Sequence, residues 1–380
     1  MYDFVFSHDC HISEPSDLLE KNLPAKFKSV MLSAERSGNN MVFRSGDTTL
    51  YHMSVMGKGD ISRSYSGEEL RPGARTGGYD IGFRLEEMAR SGVDSTIVFS
   101  GLTGFAYALD PDPGLAHMQV FNDWCVDHLR ELPHTFVPTA MLPAHSPEAA
   151  EVEMERVLKL GYRSVMLPID TYPGAPRYID PAWDRLWSLC TEAGVPMTMH
   201  SGTSCAPIRY QGPGAACMNY YQLGLIAQES IAAMVASGLF DRHPKLRLVN
   251  CESGADWLLW MGERLDEAYT RHNFYVDPKL SRLPSEILYS HVLATTHREK
   301  GCLNNLRYTG HDCVIWADDY PHAEGTFPET KSVLEGLFDG IDVAPDVQNL
   351  VVGGTCAKLY GVDPKEAKLE KQRFSNRAVA

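Results

Sequence analysis

The chain has 380 residues, 44% of them hydrophobic and 22% charged, the composition of an ordinary soluble globular protein with a sizeable core. Its formal net charge of -14, from 49 acidic against 35 basic residues, argues against nucleic acid or an anionic membrane surface as the main partner. No apolar run approaches the roughly 20 residues that a membrane helix needs, and the N-terminal MYDFVFSHDC lacks a basic region followed by an apolar one, so a cytoplasmic protein is expected.

In chain order, short apolar, β-rich segments recur at 4–10, 95–100, 136–142, 164–169, 196–200, 246–252, 291–296 and 313–318. Stretches of helical spacing lie between most of them. FRLEEMARSG (83–92) puts Phe83, Leu85, Met88 and Ala89 on one face and closes on a glycine. SPEAAEVEMERVLKLG (146–161) opens on an N-cap serine with proline at the first helical position and ends in Gly161. PAWDRLWSLCTEAG (181–194) and QESIAAMVASGLF (228–240) repeat the pattern. Strands alternating with such helices indicate βαβ units and a parallel sheet, and eight of them close a (β/α)8 TIM barrel. An open doubly wound sheet would carry a glycine-rich phosphate turn after an early strand; the first strand here runs into HDCHISEP instead.

Two regions interrupt the alternation. Residues 36–80, rich in Gly, Ser, Arg and Thr, and residues 203–220 read as long loop insertions after the first and fifth strands, at the barrel face where sites are built. One domain over 1–363 is expected, with a charged tail at 364–380 that frays or forms an oligomer contact. Trp257 and Trp260 read as a helix packing stripe. The nine cysteines show no C-x-x-C pair, which suits reduced, buried thiols better than disulfides or a zinc knuckle.

The strand ends carry the chemistry. Asp9 and His11 fall on one side of the first strand with Cys10 opposite, His200 ends the fifth, Glu252 the sixth, and Asp318 and Asp319 the eighth. An unpaired carboxylate is costly to bury. Clustered at one rim, Asp9, His11, His200 and Asp319 instead make a mixed nitrogen and oxygen set suited to a divalent metal with an open position.

DCHISEP, HPKLRLVNCESG, PSEILYSHVLATTHRE and DDYPHAEGTFPE together resemble the amidohydrolase-related family, the branch of the metal-dependent hydrolases that includes aminocarboxymuconate semialdehyde decarboxylase and the resorcylate decarboxylases. The resemblance runs from about residue 3 to Gly361 and implies a (β/α)8 barrel with one catalytic divalent metal, zinc first and manganese second, held by Asp9, His11, His200 and Asp319. It also implies a homo-oligomer, a dimer or tetramer. Departures are Asp9 where many relatives have a histidine, Glu252 where the best-studied decarboxylases have a catalytic histidine, and no lysine at the end of strand four, which points to a single metal.

By the same resemblance Asp319 would hold a metal-activated water and move its proton, and Glu252 would carry a second proton. His322 would contact substrate or bond Asp319. Glu14 and Asp318 either join the metal shell or anchor loops, and the anchor is the favoured role for both. Arg209, Tyr210, Asn219 and Tyr220 would shape an anionic or aromatic substrate site. Glu252, with a reference pKa of about 4.3, tips the expectation towards hydrolysis of a small carboxylate or aromatic substrate. Nonoxidative decarboxylation comes second, and a hydratase or a non-catalytic ligand-binding barrel third.

Overall fold

The computed structural model describes residues 2–37, 40–54, 76–205, 210–322 and 324–378. Its centre is a ring of eight parallel strands: β1 (Phe6–Ser7), β2 (Ser95–Ser100), β3 (Phe136–Pro138), β4 (Val165–Leu167), β5 (Met197–His200), β6 (Leu248–Cys251), β7 (Val292–Thr296) and β8 (Val314–Trp316). The short pairs His11–Ile12 and Ala140–Met141 continue β1 and β3. Neighbours in sequence are neighbours in the ring, with registers such as Phe6 opposite Ser95, Thr96 opposite Phe136 and His200 opposite Cys251. The ring closes where the His8 N–H donates to the Trp316 carbonyl at 3.1 Å, the His11 N–H donates to the Tyr320 carbonyl at 2.7 Å, and Cys10 forms a parallel bridge with Tyr320.

Every residue of β2 and of β4 to β8 is buried. Helices outside and side chains inside cover both faces, so these strands read as continuous apolar runs. Ser146, the expected cap, accepts the Ala149 N–H at 3.2 Å to start Pro147–Lys159. The helix expected at 83–92 begins earlier, where Asp80 accepts the Phe83 N–H at 2.7 Å to start Ile81–Ser91, and Phe83 and Ala89 are exposed while Leu85 and Met88 are buried. Asp184–Ala193 stops at Gly194 in the left-handed region.

The expected long loops need correction. Residues Leu32–Ser37, Asn40–Ser45 and Thr48–Ser54 pair as a three-stranded antiparallel sheet. The second interruption is also shorter than expected, because the helix Ala215–Ala236 begins inside it. The C-terminal segment is not frayed: Pro364–Ala378 is a helix whose Ala367 is fully buried. Trp257 packs into the core as expected, but Trp260 lies on the surface.

Candidate active site at the strand ends

The rim is built outward from β1. Beyond it the chain places Asp9 and then His11, whose backbone pairs with Phe99 of β2. The His11 Nδ1 lies 2.9 Å from the Ser100 carbonyl. A carbonyl can only accept, so Nδ1 carries the proton and Nε2 keeps its lone pair. The same logic fixes His200, whose Nδ1 faces the Ser201 carbonyl while its Nε2 lies 3.2 Å from Asp9 Oδ1. Histidines that hold metals are oriented in this way, with one N–H donated to a carbonyl and the other nitrogen directed at the ion.

Asp319 arrives from the far side, just past β8. Its backbone sits at φ 49°, and Glu252, just past β6, sits at φ 59°; they are the two non-glycine residues with positive φ among the described residues. That region is costly for a residue with a Cβ and collects at functional sites. Local bonds hold both. The Glu252 N–H donates to Thr295 Oγ1 at 2.9 Å, and the Asp319 carbonyl accepts the His322 N–H at 2.9 Å. Gly325 closes the turn from behind, where a Cβ would lie 2.5 Å from the Asp319 carbonyl oxygen.

The side chains converge. His11 Nε2 lies 3.3 Å from Asp9 Oδ1 and 3.6 Å from Asp319 Oδ1. His322 Nδ1 lies 2.9 Å from Asp319 Oδ1, and its ring packs against that of His11 with centroids 4.1 Å apart. Glu252 Oε2 lies 3.6 Å from His200 Nδ1. Yet His11 Nε2, His322 Nδ1 and both oxygens of the fully buried Asp319 lack a hydrogen-bond partner. Buried polar atoms are almost always paired, and orphaning several in one place is expensive. The ligating atoms of His11, Asp319 and His322 lie within 4.8 Å of one another, and those of Asp9, His200 and Cys251 form a second such group; nitrogen and oxygen donors gathered in this way fit a divalent cation.

Charged neighbours and burial shift several of these groups. Burial pushes the Asp319 carboxyl well above its ordinary range, with Asp9, Glu324 and Asp318 adding to the shift. Burial and the charge of Asp319 do the same to Glu252. Burial also opposes ionisation of Asp9, but His200 and His11 outweigh it and hold that carboxyl well below the usual range. His200 is raised to about 9 against the effect of burial, chiefly by Asp9. Burial and the neighbouring His322 lower His11 to about 4.

The structure thus brings together Asp9, His11, His200, Asp319, Glu252 and His322. Glu14 and Asp318 face elsewhere, in the anchoring arrangement. Glu14 accepts the N–H groups of Leu102 and Thr103, each at 3.0 Å, and Asp318 Oδ1 accepts the Ser7 hydroxyl at 2.6 Å. Of the four expected substrate contacts, Arg209 lies outside the described residues. Tyr210 and Asn219 bond to each other, with the Tyr210 N–H donating to Asn219 Oδ1 at 3.1 Å and Asn219 Nδ2 donating to the Tyr210 carbonyl at 3.0 Å. That pairing staples the loop through the Tyr210 backbone. Tyr220, half exposed, stays near the site: burial and the carboxylates Glu252, Glu324 and Asp319 push its phenol up.

Two neighbours escape sequence reasoning. Cys251 Sγ donates to Asp9 Oδ2 at 3.3 Å, and no spacing separates it from the other eight cysteines. Glu324 joins Glu252, Asp319 and His322 in a group whose ligating atoms lie within 4.8 Å of one another. It sits on the turn after Tyr320, and only the turn's path places it there.

A (β/α)8 barrel with histidines and carboxylates at the C-terminal ends of its strands defines a class of enzyme scaffold with its site at that face. The chain belongs to the amidohydrolase family, whose profile matches residues 9–362. Over 302 residues it is 23% identical to 2-amino-3-carboxymuconate-6-semialdehyde decarboxylase of Dictyostelium discoideum, covering 76% of this chain and 78% of that one. In structure it is similar to 5-carboxyvanillate decarboxylase from Sphingomonas paucimobilis, with a TM-score of 0.67 and 20% identity over 95% of this chain and 99% of that one. It is also similar to dihydroxybenzoic acid decarboxylase from Polaromonas sp. with bound manganese and the inhibitor 2-nitroresorcinol (TM-score 0.65, 16% identity, 95% of this chain and 97% of that one).

Proposed function

We propose that the chain is a metal-dependent decarboxylase of a small aromatic or muconate-like acid, in place of the hydrolase that Glu252 first suggests. The observation that carries the reading is the setting of Glu252. Largely covered and beside Asp319, it has a carboxyl raised well above the ordinary range. Such a shift favours the protonated form, which can give its proton up. Decarboxylation needs that acid: the bond to the carboxylate breaks, carbon dioxide leaves, and the electron pair left on carbon takes one proton. The names of the relatives support the same reading.

In this reading Asp9, His11, His200 and Asp319 hold the cation, which when bound supplies positive charge to fix the substrate carboxylate and an adjacent hydroxyl. Manganese, present in the Polaromonas relative, is the metal to load before zinc. Glu252 delivers the proton to the carbon, and the His322 N–H, bonded to the Asp319 carbonyl, fixes the turn that carries Asp319. Tyr220 lines the mouth. The setting we assign is cytoplasmic, with a homo-oligomer as the working form.

The test loads the protein with Mn²⁺ and offers carboxylated phenols beside aryl esters and amides. The expected result is carbon dioxide release with one deuterium placed on the vacated carbon in D₂O, and a kcat loss of about 10²- to 10⁴-fold in Glu252→Gln. Asp319→Asn should remove most activity while the fold is kept. Ester or amide cleavage without carbon dioxide would return the reading to hydrolysis.

A further inference from the structure

Three of the four proposed ligands sit on the two chain segments that close the barrel, and the closing seam is thin. Regular β1 is two residues long, and beyond it the seam consists of the Cys10–Tyr320 bridge and the two backbone bonds from His8 and His11. The 3.6 Å gap between His11 Nε2 and Asp319 Oδ1 spans that seam. Any slip there changes the ligand spacing directly.

Alternation places Cys10 opposite Asp9 and His11, and Asp318 and Tyr320 opposite Asp319. Two of the three side chains facing away from the site, Cys10 and Tyr320, meet one residue, Arg84, on the helix Ile81–Ser91. Arg84 is buried. Its Nη2 donates to Cys10 Sγ, and its guanidinium carbon lies 3.4 Å from the centroid of the Tyr320 ring. One turn along the same helix, buried Glu87 accepts the Tyr320 hydroxyl. The helix therefore grips Tyr320 by ring and by hydroxyl. The fit behind it is close, since a Cβ at Gly77 would collide with that hydroxyl and with the Glu87 carboxylate.

A buried guanidinium is costly unless its surroundings compensate it, and nothing in the fold alone requires one at this place. We propose that Arg84 is a positioning residue that sets the distance between the Asp9 and His11 pair and Asp319 by clamping the back of both segments, with Tyr320 as its platform. It touches neither metal nor substrate. The proposal rests on the metal site described above and adds the residue that holds its two halves in register.

The test measures Mn²⁺ affinity by electron paramagnetic resonance, beside metal-free thermal unfolding, for the wild type, Arg84→Lys, Arg84→Met, Tyr320→Leu, His200→Ala and Glu153→Gln. Glu153 is buried in a network with Asn122 and Arg156 outside the site, so Glu153→Gln reports what lost stability alone does. Both Arg84 variants and Tyr320→Leu should weaken Mn²⁺ binding about 10- to 100-fold, the usual effect of removing a group that supports metal ligands. Lysine should not rescue, because an ammonium cannot lie flat on the ring while reaching Cys10. Glu153→Gln should lower the melting temperature with Mn²⁺ affinity unchanged. Wild-type affinity in the folded Arg84 variants overturns the proposal while leaving the metal site standing, provided that His200→Ala still loses the ion. Failure of both the Arg84 variants and Tyr320→Leu to fold also overturns it, since the role would then lie in the fold. Equal binding, or none, in wild type and His200→Ala overturns the site itself.

Discussion

Glu252 and Asp319 share a strained backbone, burial and a raised pKa, and the sign of their contribution to stability follows. A carboxyl raised in the folded state stabilises it fully below the unfolded value of about 4.3, and loses that contribution as the pH rises through the folded value. Metal-free wild type and Glu252→Gln should therefore melt alike at acid pH, with the variant becoming the more stable as the pH rises. A variant that is less stable throughout would show that Glu252 is not held protonated by its surroundings. At this scale the sequence was informative where strand alternation acts: Asp9, His11, His200 and Asp319 were legible because each ends an apolar run. The upward shift of the Glu252 carboxyl was not, because it depends on Asp319, 67 positions away in the chain, and on surroundings that no local pattern records. The bonds from Asn219 to the Tyr210 backbone were not legible either, because they join residues nine positions apart across an irregular loop.

Elements were legible where periodicity is clean. The barrel strands and capped helices repeat signals that local physics dictates. The antiparallel sheet at 32–54 was missed because Gly, Ser and Thr mask its alternation, and its turn SGD sits among other polar residues. The helix Ala215–Ala236 was shortened because its first turns, AACMNYYQLG, are apolar on several sides and show no stripe. The C-terminal helix was dismissed for its charge, yet one charge fastens it: the buried Glu370 carboxylate accepts the Thr135 N–H at 2.9 Å, the Thr135 hydroxyl at 3.0 Å and the His134 N–H at 3.0 Å. Glu370→Ala would leave these donors unpaired and should cost about 1–3 kcal/mol, read by denaturant unfolding with kcat unchanged. A neutral effect on stability would mean that the helix docks through its apolar contacts alone.

The molecule as a whole concentrates unlike tendencies at one rim, where acids that repel one another are held together by a barrel that cannot relax. A cation that binds the folded chain and not the unfolded one stabilises by mass action, about 2.7 kcal/mol at a hundredfold excess over Kd. Thermal unfolding should shift downward with a chelator and recover with added Mn²⁺; indifference to both would mean that no ion binds at the rim. No helix among the described residues is long and apolar enough to cross a membrane. The seam has a consequence in time as well. The Ser7 to Asp318 hydrogen bond spans 311 positions, so during synthesis at about 5–20 residues per second the first strand waits roughly 15 to 60 s for its partner. The nascent chain carries Asp9 and His11 through all of that time without Asp319, so the proposed ligand set is incomplete until the last barrel strand has been made.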